Sequence, residues 1–208
     1  MMILNSCHTE VNPEKLQGSE EMFIGKMIAQ TEDISKIEYL AYSKDFRNFH
    51  LAQEYFSELD IEVHTKANST KDLELSNEVM ITLNRLENVM IEEDESLEDC
   101  RIKLLNILNS GPLEKDSKEY QAIKIGIDAT IAVCNYKMQM ETYKAVTKGF
   151  WNNAWNVIKC VGGTAGSAGL GAIAGAAVGT VTLPLVGTVS GTALGGWSGA
   201  LVGVASFC

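Results

Sequence analysis

Residues 160–208 read CVGGTAGSAGLGAIAGAAVGTVTLPLVGTVSGTALGGWSGALVGVASFC. Small residues recur at every fourth position, first at Gly163, Ser167, Gly171, Gly175 and Gly179, then at Gly187, Gly191, Gly195, Gly199 and Gly203. On a helix that spacing puts them on nearly one face and leaves a groove without side chains. Another backbone can approach closely there, with dispersion contacts in place of side-chain packing. In water such a helix is poor, since each interior Gly costs about 1 kcal/mol relative to Ala. In lipid the backbone has no water to bond with, and the helical state is enforced. Pro184 divides the stretch into Val161–Leu183 and Leu185–Phe207, 23 residues each. A hydrocarbon core of ~30 Å needs about 20 helical residues. The spacing therefore predicts a transmembrane helical hairpin turning at Thr182–Leu185, its two glycine faces packed together. The β-branched residues Thr180, Val181, Thr182, Val186, Thr188 and Val189 leave a β-rich or disordered tail open. A hairpin buried inside a soluble assembly is a third alternative.

Charge divides the chain at the same place. The 208 residues carry 17 Lys plus Arg and 27 Asp plus Glu, for a formal net charge of -10, and none of these charges lies beyond Lys159. An acidic chain lacks the basic face that nucleic acid requires. Just before the charge-free stretch, Phe150, Trp151 and Trp155 fall within six residues of one another, followed by Lys159. Aromatics so placed suit a membrane–water boundary over 149–160, with core aromatics at the end of a bundle as the alternative.

Upstream, residues 19–148 follow helical spacing. Ile34, Ile37, Leu40, Phe46, Phe49, Ala52, Phe56 and Leu59 form one stripe, and neither Pro nor Gly occurs in 26–110. Leu73, Val79, Leu83, Leu86 and Met90 form a second stripe, for which Thr70 is a candidate cap. The run Glu92–Glu95 interrupts it. Ser96 with Asp99 makes an acidic capping box for the next helix, and Gly111-Pro112 stops that helix. Tyr120, Ile123, Ile127, Ile131, Cys134 and Met138 mark a long helix from near Asp116 to Lys148. The expected fold class is all-α: a bundle of about four amphipathic helices, then the Gly-rich transmembrane hairpin over 161–207.

Two resemblances bear on function. The N-terminus, Leu4-Asn5-Ser6-Cys7, resembles the lipobox of bacterial lipoproteins. That implies acylation of Cys7 and a tether over 1–18, although the basic n-region and long apolar h-region of a signal peptide are missing. The tail resembles glycine-zipper membrane segments and, more loosely, the Gly- and Ala-rich membrane-active region of colicin-V-like and other unmodified bacteriocins. This covers 161–204 and implies close helix packing within a bilayer.

No catalytic constellation emerges. His8, His50 and His64 form no pair at metal-ligand spacing, and His50, Glu54 and Glu58 read as a solvated helix edge. Gly162-Gly163-Thr164-Ala165-Gly166 lacks the Lys-Ser/Thr of a phosphate loop. Neither a cofactor nor a metal is expected, and an enzyme is not. Of the five cysteines, Cys160 and Cys208 bracket the hairpin. Its ends return to one level, where they either pair as a disulfide or remain as two thiols according to the redox compartment. Cys100 and Cys134 lie at unequal distances from the Gly111-Pro112 turn and read as core thiols.

The expectation is a non-enzymatic, membrane-associated cell-envelope protein, a lipoprotein in a bacterial envelope. Its helical domain would bind an unidentified protein partner, and its hairpin would anchor in the bilayer or homo-oligomerise through the glycine faces. The alternative is a bacteriocin-like or pore-forming effector, whose helical domain shelters the hairpin until it meets a target bilayer.

Overall fold

A computed structural model describes residues 20–43, 49–56, 58, 75–92, 95–144, 157–183 and 186–208. The lipobox with Cys7, the candidate cap Thr70, the aromatics Phe150, Trp151 and Trp155, and Pro184 lie outside the described residues. Helix α1 spans Glu20–Ala41 and α2 spans 49–56. They bury the expected stripe through Ile34, Ile37, Leu40, Phe49, Ala52 and Phe56.

Helix α3, Asn77–Glu87, starts where the Ser76 hydroxyl accepts the Val79 N–H. Helix α4, Leu97–Asn109, opens on a complete capping box: Ser96 Oγ accepts the Asp99 N–H, and Asp99 accepts the Ser96 N–H at 2.9 Å. Two orphan donors of the first turn are thereby satisfied. The helix ends just before Gly111-Pro112.

Helix α5, Lys118–Lys144, is 27 residues long, about 40 Å at 1.5 Å per residue. It is the central element, touching α1, α4 and both helices of the tail. Ile125, Ala129, Val133 and Tyr136 are therefore buried along with Ile123, Ile127 and Cys134. A single apolar stripe understates a helix that is packed on several sides.

The tail folds as α6, Val161–Ala176, strands β1, Thr180–Leu183, and β2, Gly187–Ser190, and then α7, Gly191–Phe207. The strands pair antiparallel, with Val181 opposite Val189 and Thr182 opposite Thr188. This corrects the expected transmembrane hairpin and the purely helical class. The helices are 16 and 17 residues long rather than 23, roughly 24 and 26 Å against a ~30 Å bilayer core. Among the described residues no helix is long and apolar enough to cross a membrane. β-branched residues fill 180–182 and 188–189, and Leu183 and Val189 turn inward as the buried members of their strands. Gly179 at φ +85° and Gly187 at φ +80° take conformations that other residues rarely adopt. The apolar side chains of α7 join those of the bundle in one core.

Candidate functional site: the glycine hairpin

The two arms meet backbone to backbone. A Cβ added to Gly171 would overlap the Gly195 carbonyl oxygen, and one added to Gly175 would overlap that of Gly191. The reverse additions, at Gly195 and Gly191, collide with the carbonyls of Gly171 and Gly175. Further along, a Cβ on Gly199 would meet the Ser167 carbonyl, and one on Gly203 would lie 2.7 Å from Thr164 Cα. At the open end the Phe207 ring covers Gly163, leaving only 2.6 Å to an added Cβ. The pairs 175·191, 171·195 and 167·199 share one antiparallel register, and every fourth residue is small because a backbone crosses there. Gly179 and Gly187, the inner ends of the two series, face open space instead.

The bundle covers one side of the hairpin, and Leu170 and Val202 remain exposed. Trp197 is fully buried, with its ring 5.8 Å from Phe56 and 6.5 Å from Tyr136, centroid to centroid. Leu194, Leu201 and Val204 lie on the same buried side of α7. Helix α6 carries a second set of small residues toward α3 and α5. A Cβ at Gly162 would sit 2.8 Å from Val89 Cγ1, one at Gly169 would sit 2.9 Å from Leu83, and one at Gly166 would overlap Glu87. Gly126 of α5 answers from the other side, only 2.7 Å separating its would-be Cβ from the Ala168 backbone. Sequence spacing missed Gly126, Gly162, Gly166 and Gly169 as packing positions. One signal was there: an isolated Gly inside an otherwise strong helical pattern costs ~1 kcal/mol and has a packing reason when it persists.

Two contacts tie the hairpin at its ends. At the turn, Asp33 of α1 accepts the Ser190 N–H through Oδ2 at 2.7 Å, and its Oδ1 lies 2.9 Å from Lys36 Nζ. Asp33 is 9% exposed, so this is a charge-assisted bond largely shielded from water. Ser190 Oγ in turn caps α7 by accepting the Ala193 N–H. At the open end Cys160 and Cys208 form a disulfide with Cα atoms 5.5 Å apart. A cleft of about 420 Å³ opens beside it, lined in part by Phe49, His50, Lys137, Val204 and Cys208. Docking also has a cost: Trp197 Nε1 and Thr164 Oγ1 are buried without a hydrogen-bond partner among the described residues. Each such group forfeits about 1–3 kcal/mol.

Elsewhere the chemistry is quiet. Burial pushes the Cys134 thiol up to about 12 and the Cys100 thiol up to about 11, which disfavours the reactive thiolate of either. His50, Glu54 and Glu58 are exposed, and no metal-binding cluster occurs among the described residues.

Residues 137–202 match a protein family described as bacteriocin class II with double-glycine leader peptide. The match takes in the end of α5, all of α6, both strands and most of α7, and it covers less than half of the chain. It supports a bacteriocin-like relationship for the tail. No curated protein and no solved structure matches this chain.

Proposed function

We propose that this chain is a bacteriocin-like, membrane-active effector in which α1–α5 form a sheath that keeps the glycine hairpin packed away until it meets a target bilayer. The observation that carries this reading is the burial of most of α6 and α7, helices without a single charge, against the charged helices that precede them. Much of the apolar area that would otherwise demand lipid is covered by α5, α3 and α1, while Leu170, Val202 and Phe207 remain exposed. The zipper contacts lie inside the hairpin, so the two arms can leave the sheath as a pair without breaking them. The match of residues 137–202 to a bacteriocin family supports the same assignment. The partner is then a lipid bilayer, the chain is exported, and any association of copies takes place on that bilayer.

The test is purification without detergent followed by dye release from liposomes. An effector with a sheltered hairpin stays in solution as a monodisperse protein and empties the vesicles. A constitutive envelope anchor needs detergent to stay in solution and leaves vesicles sealed, and that result would overturn the proposal.

A further inference from the structure

The glycine spacing overruns the helices that use it. The series runs through Gly171, Gly175 and Gly179 on one arm and Gly187, Gly191 and Gly195 on the other, yet α6 ends at Ala176 and α7 begins at Gly191. Gly179 and Gly187 thus stand one helical turn beyond the packed zipper, with nothing within 4 Å of a would-be Cβ. They serve the folded chain by their positive φ, at the start of β1 and the start of β2. Were both arms helical through this region, the same two glycines would lengthen the groove by a turn on each side. Only glycine meets both demands without strain.

Part of what holds the strands in place belongs to the docked state. Leu183 and Val189 are buried, β2 lies against α1, and the Ser190 N–H is taken by Asp33 of α1. The strand ladder itself, the Thr182–Thr188 hydroxyl contact and the bond from Gly191 N–H to the Gly179 carbonyl at 2.6 Å are internal to the hairpin. Away from α1 the strand pair is an isolated two-stranded ribbon, which is marginal at best. In lipid its unpaired edges are untenable, because every backbone group must be bonded internally.

Resting on the effector reading above, we infer that the β1–β2 ribbon is a conformational reserve that turns helical on a bilayer. The conversion extends α6 to Val161–Leu183, 23 residues, and starts α7 at Gly187, giving 21 residues to Phe207. Those arms rise about 34 and 31 Å, and the docked helices of 16 and 17 residues rise about 24 and 26 Å. Only the extended pair reaches across a ~30 Å hydrocarbon core. Release from Asp33 frees the Ser190 N–H at the end of β2, and helix extension follows that release.

A cross-strand staple tests this. Thr182 and Thr188 face each other on the exposed side with their hydroxyl oxygens 3.3 Å apart. The double variant Thr182→Cys/Thr188→Cys, oxidised and verified by peptide mapping, locks the ribbon without touching the core. On vesicles of equal parts phosphatidylcholine and phosphatidylglycerol, the stapled full chain should release dye about tenfold more slowly than wild type, because arms of ~25 Å fall short of the ~30 Å core. Reductant should restore release in the variant, with reduced wild type as the control for the native disulfide. A second measurement is independent of leakage: carbonyl-carbon shifts of Val181 and Val189 should move from strand to helix values when vesicles are added. Unchanged strand shifts on vesicles, or full release by the stapled chain, overturn the inference. Release with strand shifts retained leaves the effector reading standing without the extension. Helical shifts with no release support the extension and remove the effector reading.

Discussion

Replacing Gly195 by Ala and, separately, its neighbour Gly196 by Ala isolates the energetic content of the zipper. Both glycines are in α7 and fully buried, so propensity favours both changes equally, by about 1 kcal/mol. Their surroundings differ. At Gly195 the new methyl collides with the Gly171 carbonyl and stands 3.1 Å from Gly175 Cα, both of them backbone atoms that cannot swing aside. Relief requires α6 and α7 to part by roughly an ångström, which loosens the dispersion contacts along the whole seam; overpacking of this kind costs about 1–3 kcal/mol, more where backbone must move. The net expectation for Gly195→Ala is a loss of up to about 2 kcal/mol, or a fall in Tm of up to roughly 8 °C for a chain of this length. At Gly196 the methyl meets Ala129 Cβ at 3.4 Å, Ala172 Cβ at 3.5 Å and Gly126 Cα at 3.5 Å, which are ordinary contacts. Gly196→Ala is therefore neutral to stabilising by up to about 1 kcal/mol. Leu at 196 is another matter: its branches would run into α5, so the off-register position tolerates one methyl and no more. Thermal and urea unfolding, with the disulfide intact, measure both variants. Equal effects at 195 and 196, or a more stable Gly195→Ala, would show that the fourfold spacing has no packing role in the folded chain.

Other expectations follow from single contacts. Cys208→Ser opens the 48-residue sequence separation closed by Cys160–Cys208, and the chain-entropy estimate limits the loss to about 4 kcal/mol; an unchanged urea midpoint would mean the bond does not constrain the unfolded chain. Asp33→Ala removes the carboxylate from the Ser190 N–H and should cost about 1.5–3 kcal/mol, with hydrogen exchange at Ser190 rising in step; protection retained at that amide would refute the tie. Ser96→Ala should cost about 1 kcal/mol through the lost cap. The Ser96 hydroxyl and N–H hold the Asp99 carboxyl below its ordinary value, so its stabilisation is present above the unfolded pKa and fades as pH falls through the folded one. In the variant the Asp99 titration should move up, and NMR reads that directly. Native-state alkylation should spare Cys100 and Cys134, whose thiols burial holds at about 11 and about 12; rapid labelling of either would contradict their place in the core.

Part of this architecture is a local matter, and to that extent it is written in the order of residues. Helical periodicity, the Ser96–Asp99 box and the Gly111-Pro112 stop act over one or two turns, so they place α3, α4 and α5 without reference to anything distant. The spacing of four in the tail likewise determines which face of each arm is bare, since helix geometry alone puts those glycines in line. The destination of the hairpin was not local. An apolar, charge-free face must be covered, but hydrophobicity is non-directional and does not say whether lipid or protein covers it. Only the packed structure shows α5 offering Gly126 to Ala168, α3 laying Leu83 and Glu87 over Gly169 and Gly166, and Phe56 with Tyr136 enclosing Trp197. The strands were decided the same way: β-branched residues at 180–190 permit helix or strand, and the burial of Leu183 and Val189 with the Ser190 bond to α1 selects the strand. The Asp33–Ser190 bond spans 157 positions, a distance over which no sequence pattern acts, and it forms because α1 and β2 are brought together by the core they both cover.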